Sequence, residues 1–304
     1  MTPSAPITGM LLSAAAFLFF TGFDTVSKFL ADRYSVFQIM SVEFVTATAL
    51  IWAFALLKDW YKPGSNVLRM GKPHLHLIRG GFQIAGQSLA YLAIPHLSLA
   101  EFYVIVFCMP AVTVLKAGWF LKERPDPHIW PVLAANFAGV LIAMRPDQGL
   151  NLWALVALAG IVSLAGGLVL LRRMSSTETA EMCGISAATS LALGALAVTP
   201  FVYKPMELGD FALALLGGVL FAPAQMLLVA AFRLAPVALA SPPQFLQLAY
   251  GALAGYVVFG EVPGAAICIG GGIVIAANAA LIYVENGKAP RRPARKEFEP
   301  APDG

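Results

Sequence analysis

The chain is poor in charge. Only 12% of its 304 residues are charged, whereas about 25% is usual in a soluble protein. Hydrophobic residues make up 59% of the chain, in long apolar runs divided by short polar breaks. The strict alternation of polar and apolar residues that a membrane β-barrel requires is missing. These features predict an all-α polytopic membrane protein.

Several motifs are also absent. The start, MTPSAPITG, has no basic region like that of a cleaved signal peptide, so we expect the first helix to be retained. A phosphate-binding glycine loop, HExxH and GxSxG are missing, which argues against an enzyme or an ATP-driven motor. The four histidines lie in loops or at span ends, and Cys108, Cys183 and Cys268 show no paired spacing. We therefore expect no metal, no cofactor and no nucleic-acid partner.

Ten membrane-spanning helices are predicted from the apolar runs. Their ranges are 7–31, 35–57, 76–94, 98–121, 128–144, 152–172, 180–202, 209–232, 237–259 and 264–284. The basic, proline-rich segment 285–304 follows them and is predicted to be a disordered cytoplasmic tail.

The lysines and arginines predict the orientation. With ten spans, both termini and the even-numbered loops share one side, which carries fifteen of the 20 basic residues. The other side carries Arg33, Arg145 and Lys204, and Lys28 and Lys116 lie within spans. The positive-inside rule then places both termini in the cytoplasm of a multi-pass inner-membrane protein.

An internal repeat divides the chain. The stretch 83–123 recurs 138 positions later, as the step from Gln87 to Gln225 shows. The other matched pairs are Ala93 and Ala231, Ala100 and Ala238, Glu123 and Glu261, and Pro125 and Pro263. Residues 1–146 and 147–284 are therefore predicted to be five-helix halves. Because five is odd, the second half is inverted, as in many secondary transporters.

Polar side chains follow one face of several predicted spans. Gln83, Gln87 and Tyr91 recur at four-residue spacing in the third span, and lipid cannot satisfy an amide. Gln225 occupies the eighth span, and Gln244 and Gln247 the ninth. Each glutamine could join helices or contact a substrate. Together they favour the wall of a cavity.

Prolines and aromatic residues complete this pattern. Tyr103 and Phe107 share a face of the fourth span with Pro110, and Pro242 and Pro243 interrupt the ninth. Proline inside a helix frees backbone carbonyls and disturbs the helix. We interpret Pro110, Pro242 and Pro243 as hinges.

Four charged residues within the predicted spans are candidates for a functional role. Asp24 and Lys28 are four residues apart, so they form either a self-neutralising pair near the outer surface or a charge-recognition site. Glu43 lies roughly 12 Å inside the outer edge with no local partner, and it is the strongest candidate for binding a proton or an amine. Lys116 could snorkel to the inner surface or bind a substrate carboxylate.

Two matching segments in each half carry a resemblance to a known family. FLKERP at 120–125 and FGEVP at 259–263 close the fourth helix of each half. Glycine-containing fifth helices follow, NFAGVLIA at 136–143 and GGGIVIAANAAL at 270–281. Over about 7–284 the chain resembles the EamA-type ten-helix members of the drug/metabolite transporter superfamily. It is most similar there to the YddG-type exporters of aromatic amino acids.

That resemblance implies a central cavity between the halves, lined by the first, third, fourth, sixth, eighth and ninth helices. Many members carry an arginine early in the second helix, where this chain has Glu43. The departure weakens the case for an anionic substrate and strengthens the case for a cationic amine.

The resulting hypothesis is a monomeric secondary or facilitated transporter that exports small amphipathic metabolites by alternating access. Amino acids with aromatic or large neutral side chains are the expected substrates. The glutamines would bind polar groups, and Tyr91, Tyr103 and Phe107 would contact the apolar part. The alternatives are a proton-coupled drug or quaternary-amine exporter using Glu43, a membrane-embedded enzyme acting on lipid, and a scaffold that transports nothing.

Overall fold

The computed structural model describes residues 5–61, 70–109, 112–113, 115–116, 129–144, 151–174, 178–234 and 242–288. These ranges contain ten α-helices and no strand. The helices are α1 (Ala5–Ala31), α2 (Val36–Tyr61), α3 (Pro73–Ala93), α4 (Leu99–Val106), α5 (Ile129–Met144), α6 (Leu152–Met174), α7 (Ala180–Val202), α8 (Leu208–Leu234), α9 (Leu246–Phe259) and α10 (Ala265–Lys288). The prediction of an all-helical polytopic protein is confirmed.

Among the described residues, five helices are long and apolar enough to cross a membrane by length and composition. The qualifying segments are Ile7–Ala31, Val36–Tyr61, Leu152–Leu171, Glu181–Val202 and Leu208–Leu228. They fall in α1, α2, α6, α7 and α8, so apolar spans occur in both halves of the chain.

Local sequence explains several helix ends. The Ser98 hydroxyl accepts a hydrogen bond from the Glu101 N–H and caps α4, and Thr179 caps α7 through the Met182 N–H. Gly260, at φ +68°, ends α9 in the left-handed region that favours glycine. A 3₁₀ turn, Pro242–Phe245, precedes α9, which begins at Leu246, and residues 237–241 of the predicted ninth span lie outside the described residues. Two consecutive prolines account for the 3₁₀ turn, because neither supplies a backbone donor.

The helix packing has the symmetry of a repeat. In the two halves, α1 corresponds to α6 and α3 corresponds to α8. Helix α1 packs along α8, and α6 packs along α3. Helices α2 and α7 pack against each other, as do α4 and α9, and α5 and α10. Exchanging the two halves therefore reproduces these pairings, as expected for two five-helix repeats. The proposed boundary between 146 and 147 lies outside the described residues.

Glycines allow the closest of these contacts. A Cβ on Gly86 of α3 would lie 2.9 Å from the Gly160 carbonyl oxygen of α6, and a Cβ on Gly160 would lie 2.8 Å from the Gly86 carbonyl oxygen. A Cβ on Gly139 of α5 would lie 2.8 Å from the Gly270 carbonyl oxygen of α10. Backbones approach this closely only where no side chain intervenes.

Hydrogen bonds and ion pairs join the halves at both ends of the bundle. At one end, Asp210 accepts hydrogen bonds from Tyr34 (2.8 Å) and Arg33 (3.3 Å). The Gln38 side chain bonds both the N–H and the carbonyl of Lys204 there. The corresponding segments of the repeat, before α3 and before α7, meet at the opposite end of the bundle. There Glu178 accepts from the N–H groups of Gly71 and Lys72, and Lys58 pairs with Glu181.

Candidate functional site

A buried carboxylate lies where α1, α2 and α3 meet. The side chain of Glu43 is in the second turn of α2 and is 0% exposed. The Tyr91 hydroxyl of α3 donates to Glu43 Oε2 at 2.8 Å, and Ser27 Oγ of α1 donates to Oε1 at 2.8 Å. The two hydroxyls are themselves 2.9 Å apart. A carboxylate in this position must be hydrogen-bonded, because an unpaired buried charge is very costly.

Helix α8 closes the other side of this carboxylate. A Cβ on Gly217 would collide with Glu43 Oε1, and a Cβ on Gly218 would lie 2.6 Å from Thr46 Cβ. The consecutive glycines therefore let the α8 backbone approach Glu43 directly.

Aromatic rings surround the carboxylate on its apolar side. Phe23, Phe44 and Phe221 form a mutually packed group, in which the Phe23–Phe221 and Phe44–Phe221 ring centroids are each 5.1 Å apart. Tyr91 joins the group, with its ring 6.0 Å from Phe23. The site thus combines an acid, two hydroxyls and an aromatic wall.

A second carboxylate is held in a similar way. The Tyr103 hydroxyl of α4 donates to Asp24 Oδ2 of α1 at 2.8 Å. Gly251 of α9 packs against the Tyr103 ring, because a Cβ there would collide with Tyr103 Cδ2, so α9 contributes to the cluster. Asp24 is close enough to Glu43 for the two acids to interact electrostatically. Helices from both halves therefore build one acidic, tyrosine-lined cluster.

The predicted site residues fall into two groups. Tyr91, Tyr103, Phe107 and Gln247 are buried, whereas Gln83, Gln87, Gln225 and Gln244 are partly buried. Phe107 packs edge-on against Phe245, 5.6 Å between centroids. The two tyrosines do more than the predicted apolar contact, because their hydroxyls donate to Glu43 and Asp24. Ser27 was not predicted, although it lies on α1 three residues after Asp24.

The structure gives Glu43 and Lys28 partners that are distant in the sequence. Glu43, predicted to lack a local partner, is bonded by Ser27 of α1 and Tyr91 of α3. Lys28 does not form a local pair with Asp24. Its ammonium forms an ion pair with Glu261, donates to the Leu97 carbonyl at 2.6 Å and lies 4.9 Å from the centre of the Phe259 ring. Packing of α1 beside the end of α9 makes this distant acid the nearer partner.

The remaining predicted residues lie away from the acidic cluster. Lys116 donates to the Val162 carbonyl at 2.6 Å and lies 5.4 Å from the centre of the Phe82 ring, so it joins α6 to α3. Pro242 and Pro243 are in the 3₁₀ turn before α9, and Pro110 lies outside the described residues. No grouping of three or more metal-ligating side chains occurs in the part of the chain that the structure describes.

Comparisons with known proteins agree with a membrane transporter. Residues 7–145 match the EamA-like transporter family. An S-adenosylmethionine uptake transporter of Rickettsia bellii is 25% identical over 86% of this chain and 89% of its own length. A riboflavin transporter of Rhizobium johnstonii is 26% identical over 98% of this chain and 96% of its own length. A pseudopaline exporter of Pseudomonas aeruginosa is 25% identical over 92% of this chain and 98% of its own length.

A solved crystal structure supports the fold. It matches with a TM-score of 0.63 at 20% identity, over 92% of this chain and 99% of that one. The match over 7–145 agrees with the EamA-type resemblance, and the relatives above are named as membrane transporters and not as enzymes. These relatives are named for substrates other than aromatic amino acids, so the narrower likeness to the YddG-type exporters stays a prediction.

Proposed function

We propose that this transporter exports small amphipathic metabolites that carry an amino group, above all amino acids with aromatic or large neutral side chains. The observation that carries the proposal is the acidic cluster of Asp24 and Glu43. Both carboxylates are held by tyrosines among buried helices and lie beside an aromatic wall. Charged groups within membrane segments are expensive and mark substrate or ion pathways.

The chemistry of the cluster suits an ammonium group attached to an apolar body. A carboxylate accepts charge-assisted hydrogen bonds from an ammonium, and tyrosine faces attract cations. Phe23, Phe44 and Phe221 would pack against the side chain of the substrate. A substrate ammonium would take over hydrogen bonds that Tyr91 and Tyr103 now make to the acids.

The arrangement of the halves supports alternating access. Helices α1, α2 and α4 of the first half pack against α8 and α9 of the second around the cluster. Rocking of one half against the other would expose the cluster first to one side of the membrane and then to the other. The 3₁₀ turn at Pro242–Phe245 is a candidate hinge for this movement.

The proposed setting is the inner membrane, with a monomeric protein and both termini in the cytoplasm. Its support is the excess of basic residues on one side. Fusing alkaline phosphatase to the C-terminus would test it, because that enzyme is active only outside the cytoplasm. An active fusion would contradict the proposed topology.

Transport by the purified protein in liposomes tests the function. The assay is counterflow with labelled phenylalanine, tryptophan, leucine, S-adenosylmethionine and riboflavin, compared in wild type, Asp24→Asn and Glu43→Gln. We expect flux of the amino acids and its loss in both variants. Glu207→Gln, an exposed acid between α7 and α8, is the matched control. Flux of riboflavin but of no amino-group compound would refute the proposal.

A proton-coupled amine exporter is the second candidate. The observation that favours it is the complete burial of Glu43 between two hydroxyl groups, an environment suited to an acid that gains and loses a proton. An imposed pH gradient should then drive amine flux in wild type and not in Glu43→Gln. Amino-acid flux that ignores the pH gradient would exclude this candidate.

A further inference from the structure

Hydrogen-bonding groups without partners are concentrated on one helix. Among the described residues, five buried side-chain atoms lack a hydrogen-bond partner, and three of them belong to α3: His76 Nε2, Arg79 Nε and Gln83 Oε1. Their spacing of three and four residues places them on one side of the helix. The other two belong to Thr48 and Thr189. Buried polar groups are normally paired, so such a concentration indicates a missing partner.

His76 is the best compensated of the three. Its Nδ1 lies 2.7 Å from Ser186 Oγ, and its Nε2 lies 3.5 Å from the Glu178 carboxylate. That leaves Arg79 Nε and Gln83 Oε1, one helical turn apart, as the buried atoms of α3 that lack a hydrogen-bond partner among the described residues.

Arg79 is a buried cation without a counter-ion in the described part of the chain. Its side chain donates one hydrogen bond, to the Cys183 carbonyl at 2.8 Å, and the residue is 4% exposed. The acids at the start of α7 are engaged elsewhere. Glu181 pairs with Lys58, and Glu178 accepts from the N–H groups of Gly71 and Lys72. A carboxylate is the natural partner for a guanidinium with free donors.

Room for one methyl group exists beside these two side chains. Gly167 of α6 faces them, and a Cβ there would lie 3.5 Å from Gln83 Cγ and 3.9 Å from Arg79 Cγ. These are ordinary contact distances, in contrast to the collision at Gly86 on the same interface.

We propose that Arg79 and Gln83 form a subsite for the head group of an α-amino acid on the cytoplasmic half of α3. Arg79 binds the α-carboxylate, and the Gln83 amide oxygen accepts from the α-ammonium. The subsite deepens the proposed function and rests on it. Its atoms are sealed in this structure, so substrate enters when α3 separates from α6 and α7.

Helix α3 then carries two successive stations. Arg79 and Tyr91 are twelve residues apart, about 18 Å along the helix at 1.5 Å per residue. One amino acid cannot occupy both stations at once. The head group is first held at Arg79 and Gln83, and the ammonium then passes to the acids beside Tyr91 and Tyr103. Gln87 lies between the stations on the same helix.

The test compares phenylalanine with phenylalanine methyl ester, in which the carboxylate is masked, and with phenethylamine, which lacks it. Inward- and outward-directed transport by wild type, Arg79→Gln, Arg79→Lys and Gln83→Leu is measured in liposomes. We expect Arg79→Gln to raise the KM for phenylalanine by about tenfold or more, the scale of a lost charge-assisted hydrogen bond. The KM values for the ester and the amine stay unchanged, and Arg79→Lys is intermediate. The control is Arg173→Gln, an exposed arginine at the same end of the bundle.

A second variant covers the case in which Arg79→Gln does not fold. Gly167→Ala fits without collision and fills the space beside both side chains. It should impair transport of phenylalanine more than that of phenethylamine, whereas Gly81→Ala, with nothing within 4 Å, should impair neither. Equal effects of Arg79→Gln or Gly167→Ala on acid, ester and amine would overturn the subsite. If wild type moves no amino acid at all, the proposed function fails, and the subsite fails with it.

Discussion

Lys28 of α1 and Glu261, which follows α9, form an ion pair that joins the two halves of the protein. The second carboxylate oxygen of Glu261 accepts from the Leu99 N–H at 3.1 Å, and the Lys28 ammonium also reaches the Leu97 carbonyl. One pair of side chains thus connects α1, the start of α4 and the end of α9. All three lie at the predicted outer end of the bundle, so the ion pair joins the two halves there.

Breaking this ion pair should destabilise the protein and loosen its outer side. Lys28 is almost wholly buried, so Glu261→Gln leaves its charge without a full partner, at a cost of about 3 kcal/mol. The expected result is a lower melting temperature in detergent and greater labelling of an outer-side cysteine probe. The double variant Lys28→Glu, Glu261→Lys should recover part of the stability.

Arg33→Gln provides the control for that experiment. It removes the ion pair between Arg33 and Asp210 at the same end of the bundle. The Arg33 side chain in that pair is 55% exposed. Such pairs contribute little, so its melting temperature should stay near that of wild type. A Glu261→Gln protein as stable as Arg33→Gln would show that the pair does not hold the halves together.

The contact between α8 and Glu43 predicts sensitivity to one added methyl group. Gly217→Ala places a Cβ against the Glu43 carboxylate, and Gly218→Ala places one against Thr46. Overpacking of this kind costs about 1–3 kcal/mol, so both variants should melt earlier and transport more slowly. Gly209→Ala is the matched control in the same helix, since a Cβ there meets nothing within 4 Å. Wild-type behaviour of Gly217→Ala would contradict the close packing.

Much of the fold was predictable because its signals are local or periodic. Apolar runs predict the helices, and the match between Gln87 and Gln225 predicts two halves that pack alike. The start of α9 was less predictable. The predicted ninth span continues through 242–245, but Pro242 and Pro243 lie in a 3₁₀ turn there.

The partners of single charges were not predictable, because they depend on how distant helices pack. Ser27 and Tyr91 lie 16 and 48 positions from Glu43, and Lys28 and Glu261 are 233 positions apart. Four-residue spacing favoured Asp24 as the partner of Lys28, but Glu261 and the Leu97 carbonyl are its partners in the structure. Arg79 was predicted to be one of the basic residues on the cytoplasmic side of the membrane. Packing of α7 over α3 buries it.

The hydroxyl of Tyr91 should matter more than its ring. Tyr91→Phe keeps the aromatic packing and removes the donor to Glu43, so we expect transport to fall about tenfold with little change in expression. Counterflow in liposomes measures this. Tyr256→Phe, on the exposed face of α9, is the control. Equal rates in the two variants would mean that the hydrogen bond to Glu43 has no part in transport.

The partly buried glutamines give the last prediction. Gln87 of α3 and Gln244 of the turn before α9 lie in the halves that must move against each other, and neither amide is fully exposed. If they line the substrate path, Gln87→Leu and Gln244→Leu should raise the KM several-fold while leaving expression and melting temperature unchanged. If they only join helices, the same changes should lower the melting temperature and leave the KM of the folded fraction at the wild-type value. Counterflow and thermal melting on the same preparations separate these outcomes, because helix contacts and substrate contacts are lost in different measurements.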